Sequence, residues 1–127
     1  MKKPEIVEKY WYSIDWDVGK LWSLELTVVE LKIDNLIWHL DVPIWPDNMG
    51  IPYSVTPRQV INEPTKYLKE YRRIKRSDLH YPLEIYKNKD RIMILDGVHR
   101  FTKAWYKGHE KIRARWIPET EIIKLNG

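Results

Sequence analysis

The chain has 127 residues, 43% of them hydrophobic and 31% charged, which describes a globular chain with one modest core and excludes a disordered one. Its 22 Lys plus Arg against 18 Asp plus Glu leave a net charge of +4, which suits an anionic ligand without demanding nucleic acid. With no cysteine there is no disulfide, thiol nucleophile or thiolate metal site, and no run reaches the roughly 20 apolar residues of a membrane span.

In chain order, Met1-Lys2-Lys3 leads into Pro-Glu-Ile-Val-Glu-Lys rather than an apolar stretch, so no signal peptide is expected and a cytoplasmic protein is the default. Residues 4–12 read as a short helix or turn led by Pro4. Asp15 to Leu24 reads as a second short helix with Val18, Leu21 and Trp22 on one side, weakened by Gly19. Leu26 to Leu31 has strand composition. Asp34 is placed to cap a short helix, Asn35 to Leu40, that buries Leu36, Ile37 and Leu40. From Asp41 to Pro57 the prolines at 43, 46, 52 and 57 and Gly50 forbid long regular elements, and the stretch reads as a loop.

Pro57 to Asn62 reads as a short helix. A stronger one starts with Pro64 in its first turn and runs to about Arg76. Tyr67, Leu68, Tyr71 and Ile74 share one face, and Lys66, Lys69, Arg72, Arg73 and Arg76 lie away from it. The basic run 71–76 reads as a solvated helix face before it reads as a nucleic-acid contact. Pro82 to Tyr86 and Arg91 to Leu95 are strands joined by a polar hairpin turn, Lys87 to Asp90. Gly108 stops the helix that follows, and residues 111–117 give a last strand. Seven Trp and eight Tyr against one Phe supply rings with polar tips, which fill cores and line pocket walls.

The motif that carries chemistry is Ile92-Met93-Ile94-Leu95-Asp96-Gly97-Val98-His99-Arg100. A strand that turns through Gly into a helix presents unpaired backbone N–H groups and the positive end of the helix dipole. Arg100 and His99 in the first turn complete an anion seat, most naturally for phosphate. Asp96 reads as an N-cap or as a ligand for a nucleotide-borne Mg²⁺, which needs only one or two carboxylates. Asp41, between Leu40 and Val42 and near Trp38 and Trp45, reads as a general base or as the residue closing its helix. Thr56 could line the same cleft with its hydroxyl. The four histidines show no metal-ligand spacing, and there is no Walker-type loop.

Leu95 to Trp116, with Asp96-Gly97-Val98-His99-Arg100, Ala104 and Gly108, resembles the ParB/sulfiredoxin superfamily. The likeness extends upstream through Pro64, Tyr67, Arg73-Ile74, Asp78-Leu79 and Tyr81-Pro82, a little over half of the chain. It implies an α+β fold, a small mixed sheet with packed helices. The sheet would come from residues 26–31, 82–86, 91–95 and 111–117. The expectation is a single domain over 1–127, with an N-terminal extension over 1–50 and the core motif region over 51–117.

Val98 stands where sulfiredoxins carry their cysteine, so that activity is excluded. ParB proteins bind CTP through Gly-Glu-Arg-Arg, of which only Gly97 and Arg100 match. The Asp-Gly-x-His-Arg of free serine kinases is matched in full by Asp96, Gly97, His99 and Arg100. The ten residues after Ile117 are too few for a helix-turn-helix, so DNA is not expected as a partner on its own.

The resemblance therefore implies binding of a nucleoside di- or triphosphate with Mg²⁺ through Gly97, His99, Arg100 and Thr56. As an enzyme the chain would be a kinase or nucleotide hydrolase, with Asp41, Asp96 and His99 catalytic and a small hydroxyl compound as acceptor. A non-catalytic nucleotide- or partner-binding module and a DNA-associated nuclease-like protein are the alternatives.

Overall fold

The computed structural model describes residues 18–126; the expected element over 4–12 lies outside them. The elements are α1 (Val18–Ser23), β1 (Val28–Lys32), a 3-10 helix (Ile33–Asp41), α2 (Pro57–Asn62), α3 (Leu68–Arg76), β2 (Leu83–Asn88), β3 (Arg91–Asp96), α4 (Val98–Tyr106), β4 (Lys111–Trp116) and α5 (Glu119–Asn126). The fold is α+β, and all four expected strands form one mixed sheet of order β1-β4-β2-β3. β1 pairs with β4 and β2 with β3 antiparallel, whereas β2 and β4 run parallel. No helix among the described residues is long and apolar enough to cross a membrane.

Strand alternation sends neighbouring residues to opposite faces and so builds two cores on one sheet. Ile85 and Ile94 join Ile33, Leu36, Leu40, Phe101 and Ala104 under the 3-10 helix and α4. Tyr86 and Met93 point the other way, onto Leu21 of α1, Ile117 just after β4 and Ile122 of α5. A third cluster, Trp45, Val55, Val60, Tyr67 and Ile74, closes the loop, α2 and α3 into a lobe beside the sheet. The expected loop is pinned there by mutual backbone hydrogen bonds between Trp45 and Val55.

Three elements differ from expectation for physical reasons. The helix expected over 35–40 is a 3-10 helix that starts at Ile33, with Asp34 in its first turn rather than capping it. Three residues per turn aligns Ile33, Leu36 and His39 inward and leaves Ile37 37% exposed. The helix expected from Pro64 begins at Leu68, because Lys66 and Tyr67 N–H groups both donate to the Glu63 carbonyl and spend 64–67 on a turn. Its buried face therefore carries Glu70 and Ile74, and Leu68 is exposed. The hairpin turn is also shorter than expected: the strands run to Asn88 and from Arg91, leaving Lys89, at φ +58°, and Asp90. α5, which no sequence pattern announces, starts behind Pro118, whose carbonyl accepts from the Glu121 and Ile122 N–H groups.

His39 ties the 3-10 helix to the free side of β3. Its Nδ1 donates to the Leu36 carbonyl at 2.8 Å, and its Nε2 accepts from the Ile94 N–H at 3.1 Å. An edge-strand N–H that would otherwise face water is thereby covered.

Candidate functional site

β3 ends at Asp96, and Gly97 turns the chain into α4 with φ +113° and ψ 21°. A Cβ here would stand 2.7 Å from Leu83 Cδ2 and 3.0 Å from an Arg100 guanidinium nitrogen. Only glycine combines that backbone with so close an approach. Gly97→Ala is expected to destabilise the fold by about 2 kcal/mol, read as a lower urea midpoint at unchanged slope; an unchanged midpoint would show that β2 yields easily. No side chain caps α4, so its first N–H groups keep their capacity for an anion.

This turn forms one wall of an open cleft of about 810 Å³, lined by Asp96, Gly97, His99 and Arg100 together with Glu84, Arg115, Ser77, Asp78, Pro82, Trp22 and Tyr81. The Arg100 guanidinium donates to the Pro82 carbonyl at 2.9 Å and to Asp96 Oδ2 at 3.2 Å. A register irregularity between Glu84 and Ile85 brings Glu84 opposite Asp96 across the β2–β3 ladder. Glu84 is 4% exposed and takes Arg115 Nε on both oxygens, at 3.0 and 2.9 Å. Arg115 also donates to the Leu24 and Leu21 carbonyls, which anchors α1 beside the cleft. Burial pushes the Glu84 carboxyl above its usual range, and Arg115 opposes that shift.

His99 belongs to a second constellation. Its Nε2 lies 2.7 Å from Glu70 Oε2, and Glu70 is 5% exposed. Arg73 donates to the other carboxylate oxygen at 3.3 Å. Trp45 stacks on the imidazole with ring centres 4.3 Å apart and planes 15° from parallel. Burial lowers the His99 pKa against the raising effect of Glu70, so the ring is neutral near pH 7. A neutral ring has one N–H, and Glu70 takes it, leaving Nδ1 as an acceptor. In that tautomer Nδ1 carries a lone pair able to accept a proton. Lys103 holds the two helices in register by donating to the Lys75 and Ser77 carbonyls at 2.9 and 2.7 Å, at the C-terminal end of α3.

Of the residues singled out from the sequence, Asp96, Gly97, His99 and Arg100 line one cleft, and Asp41 and Thr56 lie outside its lining. Asp41 does not receive an apolar setting: its side chain is 63% exposed and paired with Arg58 at 2.7 Å. The Thr56 hydroxyl accepts from the Gln59 N–H at 3.0 Å in a reciprocal cap that starts α2.

The sequence reading missed Glu70, Glu84 and Arg115. Glu70 could have been found, since it falls between Tyr67 and Ile74 on the apolar face of its helix, where an acidic side chain needs a partner. Glu84 interrupts the apolar run Leu83 to Tyr86 in the same way, but its partner on β4 depends on strand order.

Comparison with family models, curated proteins and solved structures finds no match for this chain. Among the described residues no group of three or more His, Asp or Glu side chains is placed to hold a metal. What the cleft offers an ion is the Asp96 carboxylate, since Arg115 takes both Glu84 oxygens; one carboxylate fits Mg²⁺ carried in on phosphates but not a protein-only cage.

Proposed function

We propose that the cleft binds a nucleotide through its phosphates and transfers a phosphoryl group to a small hydroxyl compound. The observation that carries this reading is the uncapped α4 N-terminus opening, with Gly97 and Arg100, into the cleft that His99 also lines. Backbone N–H groups and a guanidinium fork are the two donors best matched to phosphate oxygens. With phosphate bound, Arg100 would exchange its 3.2 Å contact to Asp96 for phosphate oxygens, and Asp96 would be the residue to hold a Mg²⁺, which would supply charge neutralisation.

His99 is the base in this reading, in place of Asp41. Nδ1 accepts the proton of the acceptor hydroxyl, and the hydroxyl oxygen bonds to the terminal phosphorus. The bond from phosphorus to the bridging oxygen breaks, and its electron pair leaves on the diphosphate. Glu70 steadies the imidazolium that forms, as a carboxylate behind a histidine does.

The test is a thermal-shift panel with ATP, ADP, CTP, GTP, pyrophosphate and phosphate, with and without Mg²⁺, on the wild type, Arg100→Ala and Arg100→Met. We expect stabilisation by a triphosphate only with Mg²⁺. Affinity should fall about tenfold to a hundredfold in both variants, the loss of a charge-assisted fork. A flat wild-type panel would reduce Asp96 to Arg100 to a structural turn. Binding without turnover across hydroxyl acceptors would favour the non-catalytic module.

A further inference from the structure

Two large rings at this cleft have no role in the chemistry above. Trp22 is 65% exposed and Tyr81 62% exposed, yet both line the cleft. Neither is loose chain. Leu21 beside Trp22 is fully buried, and the Leu21 and Leu24 carbonyls both accept from Arg115. Tyr81 donates its N–H to the Asp78 carbonyl, Arg113 donates to the His80 carbonyl, and Arg100 donates to the carbonyl of Pro82. The backbone beside Trp22 is thus held by Arg115, and the backbone on either side of Tyr81 by Arg113 and Arg100.

Core packing does not account for rings left this far in water. Nor do they form a continuous apolar patch of the kind a protein partner covers, because the charged pairs Glu84–Arg115 and Asp96–Arg100 belong to the same cleft. Aromatic walls around a few placed polar groups are the build of a small-ligand site, and about 810 Å³ is within the range of such sites.

We propose that Trp22 and Tyr81 take the flat ring of the ligand, so that the substrate class is a nucleotide rather than a sugar phosphate or pyrophosphate. This rests on the phosphate seat proposed above. Stacking tolerates any base, since every base offers a π face; the two rings select for a base without choosing which.

The experiment is calorimetric titration of Mg²⁺-ATP, Mg²⁺-pyrophosphate and ribose 5-phosphate into the wild type, Trp22→Ala, Tyr81→Ala and the ring-keeping Trp22→Phe and Tyr81→Phe. Because both side chains are exposed, the variants should keep the wild-type melting temperature. We expect wild type to bind Mg²⁺-ATP more tightly than Mg²⁺-pyrophosphate or ribose 5-phosphate. Each Ala variant should lose about tenfold for Mg²⁺-ATP and nothing for Mg²⁺-pyrophosphate, and the Phe variants should stay near wild type. Unchanged Mg²⁺-ATP affinity in both Ala variants overturns the stacking proposal. So does an equal loss for Mg²⁺-ATP and Mg²⁺-pyrophosphate, which would make the rings mere supports of the cleft. Failure of the wild type to bind either ligand overturns the phosphate seat itself.

Discussion

Replacing Arg115 by Leu is expected to cost about 3–5 kcal/mol of folding stability, the range for leaving one member of a buried ion pair alone. That is a large part of the 5–15 kcal/mol that holds a typical domain together. Glu84 would remain 4% exposed with no countercharge at its two oxygens, and the Leu21 and Leu24 carbonyls would lose their donor. The pH dependence has a definite sign. Burial already raises the Glu84 pKa and Arg115 holds it back, so without Arg115 the carboxyl protonates more readily in the folded chain than in the unfolded one. Protonation then favours the fold, and the loss caused by the substitution should shrink as pH falls from 7 toward 5. Urea denaturation at the two pH values measures this. The double variant Glu84→Leu, Arg115→Leu should recover a substantial part of the loss, because no buried charge is left. A single variant within about 0.5 kcal/mol of wild type would show that water reaches Glu84.

The second large effect is at His39. Burial lowers its pKa from 6.5 to about 4, and its two ring nitrogens are held by the Leu36 carbonyl and the Ile94 N–H. Protonation would turn the acceptor at Nε2 into a donor facing another donor. The folded pKa lies below the unfolded one, so this contribution is complete above about pH 6.5 and is lost as pH falls toward about 4. A shift of that size corresponds to about 3 kcal/mol. Urea midpoints should therefore drop between pH 7 and pH 4.5, and the drop should be smaller in His39→Gln. The His39 C2–H proton resonance should stay at its neutral position down to about pH 5. Titration near pH 6.5 would mean that the 3-10 helix opens and lets water in.

What could be read from the sequence were features encoded within a few residues. The hairpin from Leu83 to Asp96 announces itself by two apolar runs around a polar turn, and the α4 start by Asp96-Gly97. Pro57 to Asn62 was bounded correctly because Thr56 and Pro57 mark a helix start locally. The 3-10 helix was misread because Leu36, Ile37 and Leu40 also fit a 3.6-residue period; the pull of Ile33 and His39 toward the sheet decides for three. The site divides in the same way. Asp96, Gly97, His99 and Arg100 are contiguous and legible. Glu70, Trp45, Glu84 and Arg115 reach it only through tertiary packing, and the partner of a buried charge is fixed by topology. Asp41 lacks the apolar setting expected of it because it pairs with Arg58, 17 positions along the chain, at the surface.

The Glu70–His99 contact spans 29 positions and two helices, and so it exists only while α3 stays docked on α4. α3 packs in the lobe cluster rather than in the cores on the sheet. Undocking it would break the Glu70 and Lys103 hydrogen bonds while every strand pairing survived. The chain would then hold a partly unfolded form that keeps its sheet but has lost the carboxylate behind His99, the proposed base. Amide exchange along α3 would time that opening, and on heating, the proposed turnover would fade before the circular dichroism of the sheet changed.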